Sequence, residues 1–205
     1  MKPRCVWPVF LLCFAVVPLP AEEQRSDWGD RPRLLVTGIA APLSPSLSLL
    51  ELSLPFRSLG LRGAAADLEG SLWYLADSPY LFPRSYFELG AGLDWTWLRR
   101  GRVALSAGLG TSIGYEVPTR SVSVPLIAQF RFRLIPRDWL RLEAAIRGFL
   151  YGQGGGAEAR VLGIFRPFRG GFLLGAGVGY GFLAEWDFNP FGQALQVSLS
   201  AGYTW

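Results

Sequence analysis

The ionisable side chains are unevenly stocked. The chain of 205 residues contains no histidine, and Lys2 is its only lysine, so of 20 basic residues 20 − 1 = 19 are arginine. Without histidine there is no Ser-His-Asp or Cys-His arrangement and no His-ligated zinc. Without lysine beyond residue 2 there is no phosphate-loop lysine and no Schiff base. Both cysteines, Cys5 and Cys13, sit near the N-terminus, which leaves the rest of the chain without a thiol. What remains is carboxylate and guanidinium chemistry, and at the alternate positions expected to face inward the two are segregated along the chain. Glu51, Asp67, Glu69, Glu88, Asp94 and Glu116 come first. Arg131, Arg133, Arg141, Arg147 and Arg160 follow, with Glu143 as the exception.

Two other patterns suggest chemistry and fail on context. Gly108 to Gly114 and Gly175 to Gly181 look like nucleotide-binding glycine loops, but such a loop needs a strand before it and a helix after. Both lie inside stretches of period two. Glu185, Asp187 and Asn189 offer three oxygens, short of the ~6–8 that calcium takes. No cofactor or metal is therefore expected. Net charge beyond residue 21 is 18 arginines minus 16 acids, or +2, which is no nucleic-acid footprint.

The elements that must position the charges are strands. From Arg33 onward apolar residues recur at every second place, the mark of a strand with two unlike faces. Phe87, Leu89, Ala91, Leu93, Trp95 and Trp97 oppose Tyr86, Glu88, Gly90, Gly92, Asp94 and Thr96. The pattern predicts ten strands, with eight as the alternative count, at 33–41, 46–56, 62–75, 85–98, 102–116, 121–135, 138–151, 157–168, 171–184 and 193–205. The first is apolar on both faces, and the eighth carries Leu162 and Ile164 where polar residues belong. Tight turns at 57–60, 99–101, 136–137 and 169–170 alternate with longer links, the layout of a membrane barrel. An even count puts both termini on the turn side.

Half of the chain is hydrophobic and only 18% is charged, which excludes disorder. No stretch beyond residue 21 approaches the ~18 apolar residues of a membrane helix. The first 21 residues have the layout of a cleaved signal peptide, with Lys2 and Arg4 ahead of an apolar run from Val6 to Val17 and Ala21 at the expected cleavage point. The expected organisation is signal peptide 1–21, a short periplasmic segment 22–32, and an all-β antiparallel up-and-down transmembrane β-barrel over 33–205.

Aromatics mark where an outward apolar face would meet two lipid interfaces: Trp95, Trp97, Phe132 and Phe172 near the turns, Tyr115 and Phe182 near the loops. The final alternation Val197, Leu199, Ala201, Tyr203, Trp205 resembles the C-terminal insertion signal of bacterial outer-membrane barrels. At the level of architecture the chain resembles the small OmpW, OmpA-transmembrane and opacity-type barrels, which mostly have eight strands rather than ten. The resemblance implies an outer-membrane location, periplasmic termini, the lipid bilayer as partner, and the barrel-assembly machinery during insertion.

Two readings of the lumen stay open at this point. In one, acidic and basic walls pair and plug a narrow barrel, with inward glycines leaving room for long arginines. In the other, a water thread runs between the walls and the transverse field sorts small solutes. The expected function is accordingly a narrow passive channel, or a closed barrel that acts through its loops. An enzyme is not expected, because the barrel enzymes that the chain resembles in outline place a histidine in the catalytic site.

Overall fold

The computed structural model describes residues 31–41, 44–76, 86–117, 120–152, 154–168, 171–185 and 190–205. Residues 1–30, which include the expected signal and periplasmic segments, lie outside the described residues, as do 42–43, 77–85, 118–119, 153, 169–170 and 186–189. The strands are β1 (Arg33–Ala41), β2 (Ser44–Pro55), β3 (Leu68–Ala76), β4 (Tyr86–Arg100), β5 (Val103–Glu116) and β6 (Ser121–Ser123). They continue with β7 (Leu126–Arg137), β8 (Leu140–Tyr151), β9 (Gly154–Phe165), β10 (Phe172–Glu185) and β11 (Pro190–Thr204).

Every neighbour is antiparallel, and the sheet closes on itself through the β1–β11 and β4–β5 pairings. The short β6 and the longer β7 both lie on β5. Pro125 separates them because it has no N–H to donate to the ladder, and its carbonyl accepts from the Thr111 hydroxyl at 2.9 Å. Together β6 and β7 make one stave, so the barrel has ten, as the alternation predicts.

Both described ends meet at the rim that carries the β2–β3, β4–β5, β7–β8 and β9–β10 connections, here called the turn rim. The Thr204 hydroxyl donates to the Pro32 carbonyl at 2.9 Å, and the Trp205 N–H to the same oxygen at 3.3 Å. The opposite end is the loop rim.

One connection differs from expectation. The chain between β2 and β3 is not a tight turn but runs from 56 to 67, with 3-10 helices at Phe56–Leu59 and Gly63–Asp67. Ala64, Ala65 and Ala66 were expected in the strand. Alanine is depleted in strands and favours helical turns, and here it leaves the ladder. Gly60 closes the first turn at φ 79°, a left-handed position. Asp67 is consequently no lumen residue. It lies at the turn rim, 3.5 Å from Arg57, with both side chains about one-third exposed.

Polarity is inverted relative to a soluble protein. The outward face is apolar and bare, with Leu89, Leu109, Ile113 and Leu199 among the most exposed residues, the last at 69%. The inward face holds the buried charges. The ambiguous first strand resolves on closure: Arg33, Leu35, Thr37 and Ile39 point inward and are buried. Leu162 and Ile164 also face inward, where they pack with Leu35, Ile135 and Leu173.

Candidate functional site: an ion-pair plug across the lumen

Side chains from opposite walls meet in the barrel interior. Arg131 on β7 reaches Glu69 on β3 at 3.3 Å, Asp94 on β4 at 3.3 Å and Glu51 on β2 at 4.0 Å. Arg133 lies 2.7 Å from the second oxygen of Glu69 and donates to the Ser106 hydroxyl at 3.2 Å. The Ser53 hydroxyl also donates to Glu69. Arg33 on β1 forks onto Glu143 on β8, with Nη1 to Oε1 at 2.7 Å and Nη2 to Oε2 at 3.2 Å. Arg141 pairs with the same carboxylate. Arg160 on β9 reaches Glu51 at 3.5 Å.

The pairs Arg33–Glu143, Arg160–Glu51 and Arg131–Glu51 are chords of the barrel. β1 and β8 are four staves apart, as are β2 and β9 one way round and β2 and β7 the other. In a ring of ten, four staves apart is almost opposite. Glu51 is therefore tied to both far walls at once. Arginine and glutamate can do this because they are long, whereas shorter side chains would leave a ten-stave interior open. Burial confirms the closure: Arg131 is 3% exposed and Asp94 0%. Buried charges persist only when paired, and each of these has an opposite charge within 4.0 Å.

Apolar layers complete the filling. Toward the turn rim, the Leu35, Ile135, Leu162, Ile164 and Leu173 cluster stands beside the charges. The void bounded by Arg33, Arg141, Ile164, Leu173 and Thr204 measures about 10 Å³, room for a single water. Toward the loop rim, Ile39 and Leu49 from β1 and β2 join Trp73 from β3 and Ile127 from β7. The Trp73 indole N–H donates to Glu88 at 2.9 Å, and the Arg147 guanidinium stands 5.8 Å from its ring centroid, within cation–π range. A polar relay links this layer to the plug: Arg147 Nε donates to Gln129 at 3.2 Å, and Gln129 Nε2 donates to Asp94 at 2.6 Å.

The glycines act differently from expectation. A Cβ on Gly90 would run into the Trp73 ring, one on Gly92 would press on the Ser71 hydroxyl and the ring at 3.1 and 3.3 Å, one on Gly110 would meet the Ala91 carbonyl at 2.7 Å and the ring at 3.1 Å, and one on Gly108 would run into Asp94. They make a bare floor for Trp73 and Asp94. Gly179 does lie against an arginine, the Arg160 stem, at 3.6 Å.

Most of the sequence-predicted charges thus come together. Glu51, Glu69, Asp94, Arg131, Arg133, Arg141 and Arg160 form the plug, and Glu88 and Arg147 flank Trp73 above it. Asp67 is displaced to the rim, and the side chain of Glu116 lies outside the described residues. Sequence reasoning missed Arg33 and Gln129. Both carried a signal: Arg33 opens an alternation with Leu35 and Thr37, and Gln129 is polar at an inward place between Ile127 and Arg131. The six inward arginines (33, 131, 133, 141, 147, 160) face six inward carboxylates (51, 69, 88, 94, 143, 158), so the described interior is neutral.

Five of the six aromatics expected at the interfaces point outward and are more than 40% exposed: Trp95, Trp97, Tyr115, Phe172 and Phe182. Phe132 is outward and half-buried. Val197, Leu199, Ala201, Tyr203 and Trp205 all face outward as well.

A closed antiparallel barrel with a lipid-compatible exterior and charged interior defines the class: a transmembrane β-barrel of the outer-membrane type. Among solved structures the chain is similar to the outer-membrane channel DcaP of Acinetobacter baumannii, with 13% identity over 85% of this chain and 59% of that one, at a TM-score of 0.43. It is also similar to the KdgM porin in complex with disordered oligogalacturonate, with 10% identity over 85% and 99% of the chains and a TM-score of 0.45. An anion-selective porin from Comamonas acidovorans gives 7% identity over 82% and 52%, at 0.41. The chain spans 59% of the DcaP chain it matches. No family model matches the sequence, and no curated protein matches it.

Proposed function

We propose that this protein is a porin-like outer-membrane barrel held shut by its own ion pairs, which passes small solutes only when those pairs break. The observation that carries the reading is Arg131, 3% exposed and within 4.0 Å of carboxylates from three other staves. A water-filled conduit would leave such side chains hydrated. Interior neutrality also supports it, since a described interior with six charges of each sign carries no net charge with which to prefer anions or cations. No enzymatic activity is assigned, because the buried carboxylates are engaged by guanidiniums.

The same reading takes residues 1–21 as the export signal and places both barrel ends in the periplasm. It takes Val197, Leu199, Ala201, Tyr203 and Trp205 as the segment engaged by the assembly machinery. The bilayer is the partner of the apolar exterior.

The test is conductance of the refolded mature protein in a planar bilayer. The wild type is expected to be silent, and Arg131→Ala with Glu69→Gln to give steady ohmic steps. Steady steps from the wild type, with ion preference inverted by Arg133→Glu, would instead establish an open conduit between charged walls. A variant that stays folded and silent would leave a closed barrel that acts through its loops.

A further inference from the structure

The turn rim carries a charge that the lumen does not use. Two rim arginines face carboxylates: Arg57 lies 3.5 Å from Asp67, and Arg102 lies 3.7 Å from Asp138. The rim also carries Arg31, Arg99 and Arg166, each engaged in an interaction of its own, and beyond these Arg62, Arg100 and Arg137. Arg62, Arg99, Arg100 and Arg137 are exposed. The opposite side is different in composition: its connections hold Asp77, Glu116, Glu185 and Asp187 against Arg84 and Arg120.

The rim arginines also stand at a defined height. On β4, Trp95 and Trp97 are followed by Arg99 and Arg100, whereas in the β7–β8 turn Trp139 stands level with Arg137, which pairs with Leu140. Trp139 stacks edge-on against Phe165 at 5.4 Å, and Arg166 is the next residue. Indole rings settle at the boundary between hydrocarbon and headgroups. Two residues further along a strand is about 7 Å. That distance carries a guanidinium from the aromatic band to the level of the phosphates, and a guanidinium fork matches phosphate geometry.

We propose that the turn rim is a binding ring for anionic phospholipid headgroups of the leaflet that surrounds it. Its arginines hold lipid phosphates in bidentate hydrogen bonds while the aromatic band below seats the acyl chains. The ring is separate from the plug, so lipid binding and closure of the lumen are independent properties.

The experiment uses the full mature chain in nanodiscs of equal phosphatidylcholine and phosphatidylglycerol. The protein is extracted in mild detergent, and the retained lipids are counted by native mass spectrometry. Each arginine near an anionic lipid surface is worth roughly a fivefold preference. Phosphatidylglycerol is therefore expected to be enriched by about tenfold, a conservative figure for several such arginines. The triple variant Arg62→Gln, Arg100→Gln, Arg137→Gln should return to the bulk ratio while the barrel keeps its folded gel mobility. The loop-side variant Arg120→Gln should keep the enrichment.

Bulk-ratio retention by the wild type would overturn the proposal, as would undiminished enrichment in a folded triple variant. Enrichment that appears only after Glu22, Glu23, Asp27 and Asp30 are neutralised would also overturn it, because the chain's own acidic segment would then be the occupant. So would loss of enrichment on adding inorganic phosphate at constant ionic strength, because a soluble anion would then suffice.

Discussion

Asp94 on β4 and Gln129 on β7 meet across an empty place on the strand between them. Their amide–carboxylate hydrogen bond is 2.6 Å long, and the residue that separates them in register is Gly108 on β5. A Cβ there would fall on the Asp94 carboxylate and within 2.6 Å of the Leu93 carbonyl. The backbone oxygen cannot swing away, so the substitution must distort the ladder. Gly108→Ala is expected to destabilise the barrel by about 1–3 kcal/mol, the cost of overpacking. Urea unfolding followed by tryptophan fluorescence measures it, and an unchanged midpoint would show that the Asp94 seat is adjustable.

Arg131 is the hub of the plug, so its removal should be worse than removal of the pair. Arg131→Met leaves Glu69, Asp94 and Glu51 facing one another without their shared cation. Breaking a buried pair in this way costs about 3–5 kcal/mol. Arg131→Met with Glu69→Gln should recover part of that loss, and a double-mutant cycle on unfolding free energies reads the coupling. A coupling near zero would mean that the two groups are solvated independently.

Closure is layered, and this has a consequence for single variants. Trp73→Ala removes the indole of the loop-side layer but leaves Arg131 and its three carboxylates in place. It should remain electrically silent in a planar bilayer. Added to Arg131→Ala with Glu69→Gln, it should raise the single-channel conductance above that of the plug variant alone. Conduction by Trp73→Ala on its own would make the indole the principal barrier.

Salt should separate the interior from the rim. Exposed pairs such as Arg102–Asp138 are screened within ~10 Å at about 0.1 M salt, and buried pairs are screened far less. The unfolding midpoint in urea is therefore expected to change little as sodium chloride is raised. A steep fall with salt would show that water and ions reach the plug.

The alternation made the barrel legible in the sequence. A side-chain period of two needs only neighbouring residues, so β4, β5, β7 and β10 can be read from their own letters. The ambiguous β1 could not be, because Leu34, Leu35 and Val36 are apolar on both faces. Its inward set Arg33, Leu35, Thr37 and Ile39 was decided by pairing with β2 and β11. The stretch 62–67 misled for a related reason: Ala64 and Ala66 fit the apolar period but have weak strand preference, and the chain turned there instead.

By itself the sequence determined which residues face inward on most strands, that these carry carboxylates early and arginines late, and that histidine chemistry is absent. Those properties are local or compositional. Only the tertiary structure decided whether the two walls stand apart or touch, because that depends on the barrel's circumference and on the stagger between staves. Closure at ten staves puts β1 nearly opposite β8, and β2 nearly opposite both β7 and β9. At that width arginine and glutamate reach one another, and the opposed charges pair across the interior instead of standing apart.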